Sequence, residues 1–126
     1  MSLADVNELS VVLDAGFRQG EQDSPLRVTA RVGTEGLYFK DCQDHHCNVL
    51  TIVYGLFDAE GVYIAEIVRK AELRLDSSAL KKFQSQGIQL SADFNVPPGS
   101  NSARVVVAEA EARKIASATR IVARPD

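Results

Sequence analysis

At 126 residues the chain has room for one hydrophobic core and not for two. A charged fraction of 25% beside 45% hydrophobic residues is that of a globular protein, and a formal net charge of −3 excludes the basic footprint that nucleic acid demands. No apolar run nears the roughly 18 residues of a membrane span, which excludes direct membrane insertion through a helix.

The start, Met1-Ser2-Leu3, reads as vector-derived and carries no signal-peptide pattern, so the expectation is a single domain, residues 1–126, excised from a larger protein whose secretion the missing signal does not argue against. Ser10 to Leu13, Leu26 to Val32 and Leu37 to Lys40 are the first strand candidates, separated by glycine and polar turns. Between Lys40 and the next strand lies Asp41-Cys42-Gln43-Asp44-His45-His46-Cys47, which holds both cysteines and both histidines of the chain.

From Asn48 the alternation is apolar on both faces: Val49, Thr51, Val53 and Phe57 on one, Leu50, Ile52, Tyr54 and Leu56 on the other. That pattern predicts a strand buried on both sides, or one whose outer face another element covers. Asp58-Ala59-Glu60-Gly61 supplies turn chemistry, and Val62 to Val68 returns as the second arm of a long hairpin. Asp76 as N-cap, Leu80 and Phe83 three apart and Gly87 as terminator predict one short helix near residues 77–86.

Alternation resumes through Ile88, Leu90, Ala92, Phe94 and Val96 and stops at Pro97-Pro98-Gly99, because proline has no donor for a ladder. In the tail, Ala108 to Lys114 favours helix by propensity, but the β-branched runs on either side favour a hairpin of Ser102 to Ala108 and Ile115 to Val122. Arg104, Arg113, Lys114, Arg120 and Arg124 are spread among acidic residues and read as solvated. Seven or eight short strands with regular turn signals predict an all-β fold, an immunoglobulin/fibronectin-III-like antiparallel β-sandwich with one short helix. Without tryptophan or a widely spaced cysteine pair it is not of the antibody type.

The cysteine loop has three readings. A structural zinc site takes ligands from two separated pairs, whereas Cys42, His45, His46 and Cys47 sit in one loop with no second pair. A Cys-His nucleophile at this spacing lacks an orienting residue and an oxyanion-hole signature, and no phosphate loop or nucleophile elbow occurs elsewhere. A disulfide between Cys42 and Cys47 needs only that four intervening residues let the two backbones approach to roughly 5.5 Å. The disulfide is preferred, with no metal, cofactor or catalytic residue assigned. Asp44, His45 and His46 would then project from the tip of a pinned loop. Asp76-Ser77-Ser78 departs from a metal-adhesion DxSxS pattern and is read as a helix cap. Tyr38, Phe39, Tyr54, Phe57, Tyr63, Phe83 and Phe94 are read by default as core.

Four stretches also resemble a known group in their order: Leu26 to Val32 leading to Gly36-Leu37, Phe57-Asp58-Ala59-Glu60-Gly61, Phe94 to Gly99, and Ala103 to Val107. They are similar to the region that follows the von Willebrand factor A domain in acidobacterial VWFA-related proteins. The resemblance implies a secreted or cell-envelope parent, extracellular or periplasmic, and an accessory module that carries no catalytic residue. Two departures are the cysteine loop and the final turn, Glu109 to Arg113, which has no glycine. The resulting expectation is a non-enzymatic spacer or protein-interaction module, its partner another protein or a neighbouring domain of the parent. The alternatives are a metal-binding or redox-responsive module using Cys42, His45, His46 and Cys47, and, more weakly, a carbohydrate-binding module.

Overall fold

The computed structural model describes residues 8–17, 26–96 and 99–124, the side chains of 99, 100, 123 and 124 excepted. In chain order the elements are β1 (Val11–Phe17), β2 (Leu26–Val32), β3 (Lys40–Cys42), β4 (His45–Asp58), β5 (Tyr63–Leu75), α1 (Ser77–Gln86), β6 (Ile88–Phe94), β7 (Gly99–Glu109) and β8 (Ile115–Arg124). All strand pairs are antiparallel. One sheet has the order β1-β2-β6; the other has β5-β4-β7-β8, with β3 pairing the first residues of β4. The fold is therefore an all-β sandwich, with eight strands and one short helix among the described residues.

The two-residue period of a strand sorts each sequence into a core side and a solvent side. On β4 the core side is Asn48, Leu50, Ile52, Tyr54 and Leu56, all buried; on β2 it is Leu26, Val28, Ala30 and Val32. Val105 and Val107 of β7 and Phe94 and Ala92 of β6 complete the centre. The prediction of a second buried face on β4 is corrected. Val49, Thr51 and Val53 are half-buried, shielded by the side chains of β5 and β7 on either hand, with no further layer among the described residues.

Tyr54 joins the two sheets. It is fully buried, and its hydroxyl donates to the Leu90 carbonyl of β6 at 2.5 Å. Burial pushes the phenol up to about 12, because a phenolate would lose its hydration there, while the positive charge of Arg69 pulls weakly the other way.

Local chemistry sets the hairpins. The Asp58 carboxylate accepts from the backbone N–H of Glu60 and of Val62, each at 2.9 Å, and Gly61 takes a φ of 81°. Helix α1 begins where the Asp76 side chain accepts from the Ala79 N–H at 2.7 Å and ends at Gly87, whose φ is 75° and whose N–H returns to the Phe83 carbonyl. Both follow the sequence reading.

The tail is the predicted hairpin and not a helix, and its turn works without glycine. The buried Glu109 carboxylate accepts from the N–H of Ala112 at 2.8 Å and of Arg113 at 3.0 Å, and Arg113 itself adopts a φ of 56°. Acceptors placed for two donors offset the cost of a left-handed residue.

Several boundaries move: β4 begins at His45, ahead of the predicted Asn48, and β5 runs on to Leu75 beyond the predicted Val68. β1 runs on to Phe17 beyond the predicted Leu13, and β3 is Lys40–Cys42, so Leu37, Tyr38 and Phe39 precede it. β7 starts at Gly99, while Pro97 and Pro98, like Met1 to Leu3, lie outside the described residues. The tail cations are also not merely solvated: Lys114 donates to the Gly36 carbonyl at 3.1 Å and Arg120 to that of Leu13 at 2.6 Å.

Tyr54→Phe should lower stability at pH 7 by about 1–2 kcal/mol, since it leaves the Leu90 carbonyl without its donor. A folded-state value above the ordinary 10.0 means the wild-type advantage is complete below pH 10 and declines as pH rises towards 12. Denaturant melts of both proteins across that window should show the gap closing. Glu109→Ala should cost about 1–3 kcal/mol in the same measurement, by stripping the acceptors from the β7–β8 turn.

Candidate functional site

The cysteine loop is a two-residue hairpin. Lys40 opposes Cys47, Asp41 opposes His46 and Cys42 opposes His45, leaving Gln43 and Asp44 as the turn with φ of 51° and 66°. Positive φ at both central positions is the type I′ geometry that suits the twist of paired strands. Cys42 and Cys47 are bridged across the hairpin with their Cα atoms 6.1 Å apart.

Strand parity decides what the neighbouring side chains do. Opposed residues share a face and adjacent ones do not, so Lys40, Cys42, His45 and Cys47 lie on one side of the hairpin, and Asp41 and His46 on the other. The histidines thus point apart and do not project together from the tip. His45 Nδ1 lies 3.1 Å from the Gln43 carbonyl, and His46 Nδ1 makes only a loose 3.9 Å approach to the exposed Asp41 carboxylate. With the sulfurs bonded to each other, Cys42, His45, His46 and Cys47 do not converge on a common point. Among the described residues no group of three or more His, Cys, Asp or Glu side chains does.

The two outer faces of the sandwich differ in chemistry. On the β1-β2-β6 sheet, Arg27 forms a bidentate pair with Asp93 at 3.0 and 3.3 Å, and Thr29 shares a hydrogen bond with Ser91 at 2.9 Å. The carboxylate of Asp93 raises the Arg27 pKa, first through that hydrogen bond and then through its charge. The members of these two pairs satisfy each other across the strands, and shallow hollows of about 350 Å³ lie beside them, one along Val12 and Arg31 and one along Asp14, Gly16 and Arg27.

The outer face of the larger sheet is apolar at one end. Phe57 and Tyr63 meet edge to face, with ring centroids 5.9 Å apart and planes at 71°, and Ile121 on β8 is 80% exposed. Partial desolvation raises the Tyr63 pKa, helped by the Glu66 carboxylate that accepts its hydroxyl proton at 3.1 Å. The Phe57 ring lies back over Gly55, where any Cβ would stand 3.2 Å from it. Beside the ring, Arg104 donates to Thr119 at 3.1 Å and to Ser117 at 3.0 Å. Phe57, Gly61, Ser102, Arg104 and Thr119 line a cleft of about 80 Å³. That is well below the roughly 300 Å³ at which pockets begin to enclose metabolites, and suits the tip of one side chain.

The default core assignment of the aromatics is therefore corrected at three positions. Tyr54 and Phe94 are buried, and Phe39 and Phe83 pack against the core, but Tyr38 and Tyr63 are 61% and 52% exposed and Phe57 is on the outer face. For Tyr63 the cause is a bulge: Leu56 pairs with Ala65 but Phe57 with Tyr63, so Ile64 is left over and the side chain before it turns outward. Alternation alone carries no sign of a bulge.

Compared with models of known protein families and with curated proteins, the chain matches none. No described helix is long and apolar enough to cross a membrane.

Thiol titration of the denatured, unreduced protein should find no free thiol, and reduction, or replacing both Cys42 and Cys47 by Ser, should lower stability by about 2 kcal/mol through the closure entropy of a short ring. The far-ultraviolet dichroism should not change, because the bridge lies within a single hairpin.

Proposed function

We propose that this chain is a non-enzymatic accessory module, an immunoglobulin/fibronectin-III-like sandwich that presents a protein-binding surface within an exported bacterial protein. The order β1-β2-β6 against β5-β4-β7-β8 supports the immunoglobulin-like description. The Cys42–Cys47 bridge favours an oxidising compartment, whether extracellular or periplasmic. Resemblance to the region following the von Willebrand factor A domain in VWFA-related proteins points the same way.

The observation that carries the interaction reading is the contrast between the two outer faces. One carries polar pairs across its strands, whereas the other sets an aromatic pair, an exposed isoleucine and an arginine around a side-chain-sized cleft. Aromatic residues and arginine are the types enriched at protein interfaces. The cleft commits the partner to a protein surface, on a separate chain or a neighbouring domain of the parent, that inserts one apolar side chain beside Phe57. No metal, cofactor or nucleic acid enters this reading.

A photo-reactive amino acid placed at Ile121 and, separately, at Ser91 tests it in the parent protein expressed in its own bacterium. One defined cross-linked species from Ile121, with none from Ser91, is the expected result. No product at Ile121, or the same products from both faces, would overturn the reading.

A further inference from the structure

β5 is a long edge strand. Its only strand partner among the described residues is β4, so the other side of its backbone offers alternate N–H and C=O groups to any further strand. The far side of the same sheet is not open in this way. Arg120 reaches from β8 to the Leu13 carbonyl, the Glu8 N–H donates to the Ile115 carbonyl at 3.3 Å, and the Ile115 N–H donates to the Glu8 carboxylate at 3.2 Å.

A row of valines leads to the open edge. Val106 on β7 opposes Val53 on β4, which opposes Val68 on β5, all on the outer face. The row ends at the margin of the sheet on Val68, which is 52% exposed.

The geometry points to a second copy of this chain as the occupant of that edge, through antiparallel β5–β5 pairing about a two-fold axis at Val68. The inference goes beyond the accessory-module reading, since it concerns a different surface and would hold for an enzyme as well. Symmetry, charge and the valine row together select the centre, since charge alone also admits Ala71, which opposes Lys70 to the partner's Glu72 but sets Val68 against the partner's Arg74. In an antiparallel pair, directly opposed residues both turn their backbone groups towards the partner or both away, so a two-fold axis must pass through a residue that opposes its own copy. Centres at Glu66, Arg69 and Lys70 each set like charges face to face. A centre at Ile67 puts Glu66 opposite a valine and forms no ion pair.

Centred on Val68, Glu66 opposes the partner's Lys70, and by symmetry the same pair forms again on the other side of the axis. Ala65 then opposes the partner's Ala71, and no like charges face each other along β5. The valine row becomes continuous through both molecules. Arg69, on the core side of β5 opposite Ile52, is the kind of inward charge that discourages indiscriminate edge pairing. In this register its stem lies along the partner's Ile67. Because the contact is two-fold and consumes β5 of each copy, it closes at two.

Sedimentation velocity on the full chain between about 1 µM and 1 mM tests the pairing. The wild type is expected to pass from monomer to dimer within that range. Val68→Lys should be monomeric throughout, and Glu66→Lys should weaken the dimer by at least about tenfold, by setting lysine against Lys70 twice. Adding Lys70→Glu to Glu66→Lys should restore it, with thermal melts confirming that every variant folds. A wild type that stays monomeric at about 1 mM, or a dimer that neither Val68→Lys nor Glu66→Lys shifts, would overturn the inference.

Discussion

Three of the four other strands described in the larger sheet, β3, β5 and β7, pair directly with β4. Its fourteen residues are hydrogen-bonded along one edge to β5 and along the other to β3 and then β7, while its core-facing side chains meet those of the smaller sheet. Because a one-residue slip would turn Leu50, Ile52, Tyr54 and Leu56 to solvent and bring Thr51 inward, burial holds the register of both flanking pairs at once. Tyr54 adds a directional constraint to this apolar one. Its hydroxyl must find the Leu90 carbonyl, so the two sheets are set against each other along the strands as well as across the core.

Around that centre, polar side chains bind backbone where the chain turns. Asp58, Asp76 and Glu109 each accept from main-chain N–H groups, at a hairpin, a helix start and a second hairpin respectively. Asn48, buried beside the cysteine hairpin, donates instead to the Tyr38 carbonyl at 2.9 Å and so holds the approach to β3. Side chains of this kind, Glu109 and Asn48 buried among them, make the loops specific without adding to the apolar core.

The parts of the fold that were legible in the sequence are those whose cause lies within a few residues. Asp58 with Gly61, and Asp76 with Gly87, declare a turn and a helix because anchor and positive-φ residue sit inside the element they define. The β7–β8 turn was harder to read because its anchor, Glu109, precedes the turn and looks like part of a helix-forming run. At β4, apolar residues on both faces suggested two buried sides, but shielding by neighbouring strands half-buries the outer face with no covering layer among the described residues. The same limit applies to the candidate site. The cysteine pairing could be read from spacing, whereas the opposed directions of His45 and His46 follow from a hairpin register, and the outward turn of Tyr63 from a bulge.

The bridge between Cys42 and Cys47 joins two residues that the hairpin already brings together. A crosslink placed that way constrains few degrees of freedom beyond the turn itself, so making or breaking it carries little information to the rest of the molecule. Asn48 and Leu50, one and three residues further along β4, are held by burial and by their own partners, irrespective of the sulfurs. Oxidation at this position therefore stabilises the fold by restricting the unfolded chain, while the shape of the folded sandwich behind it is insulated from the redox state of its surroundings.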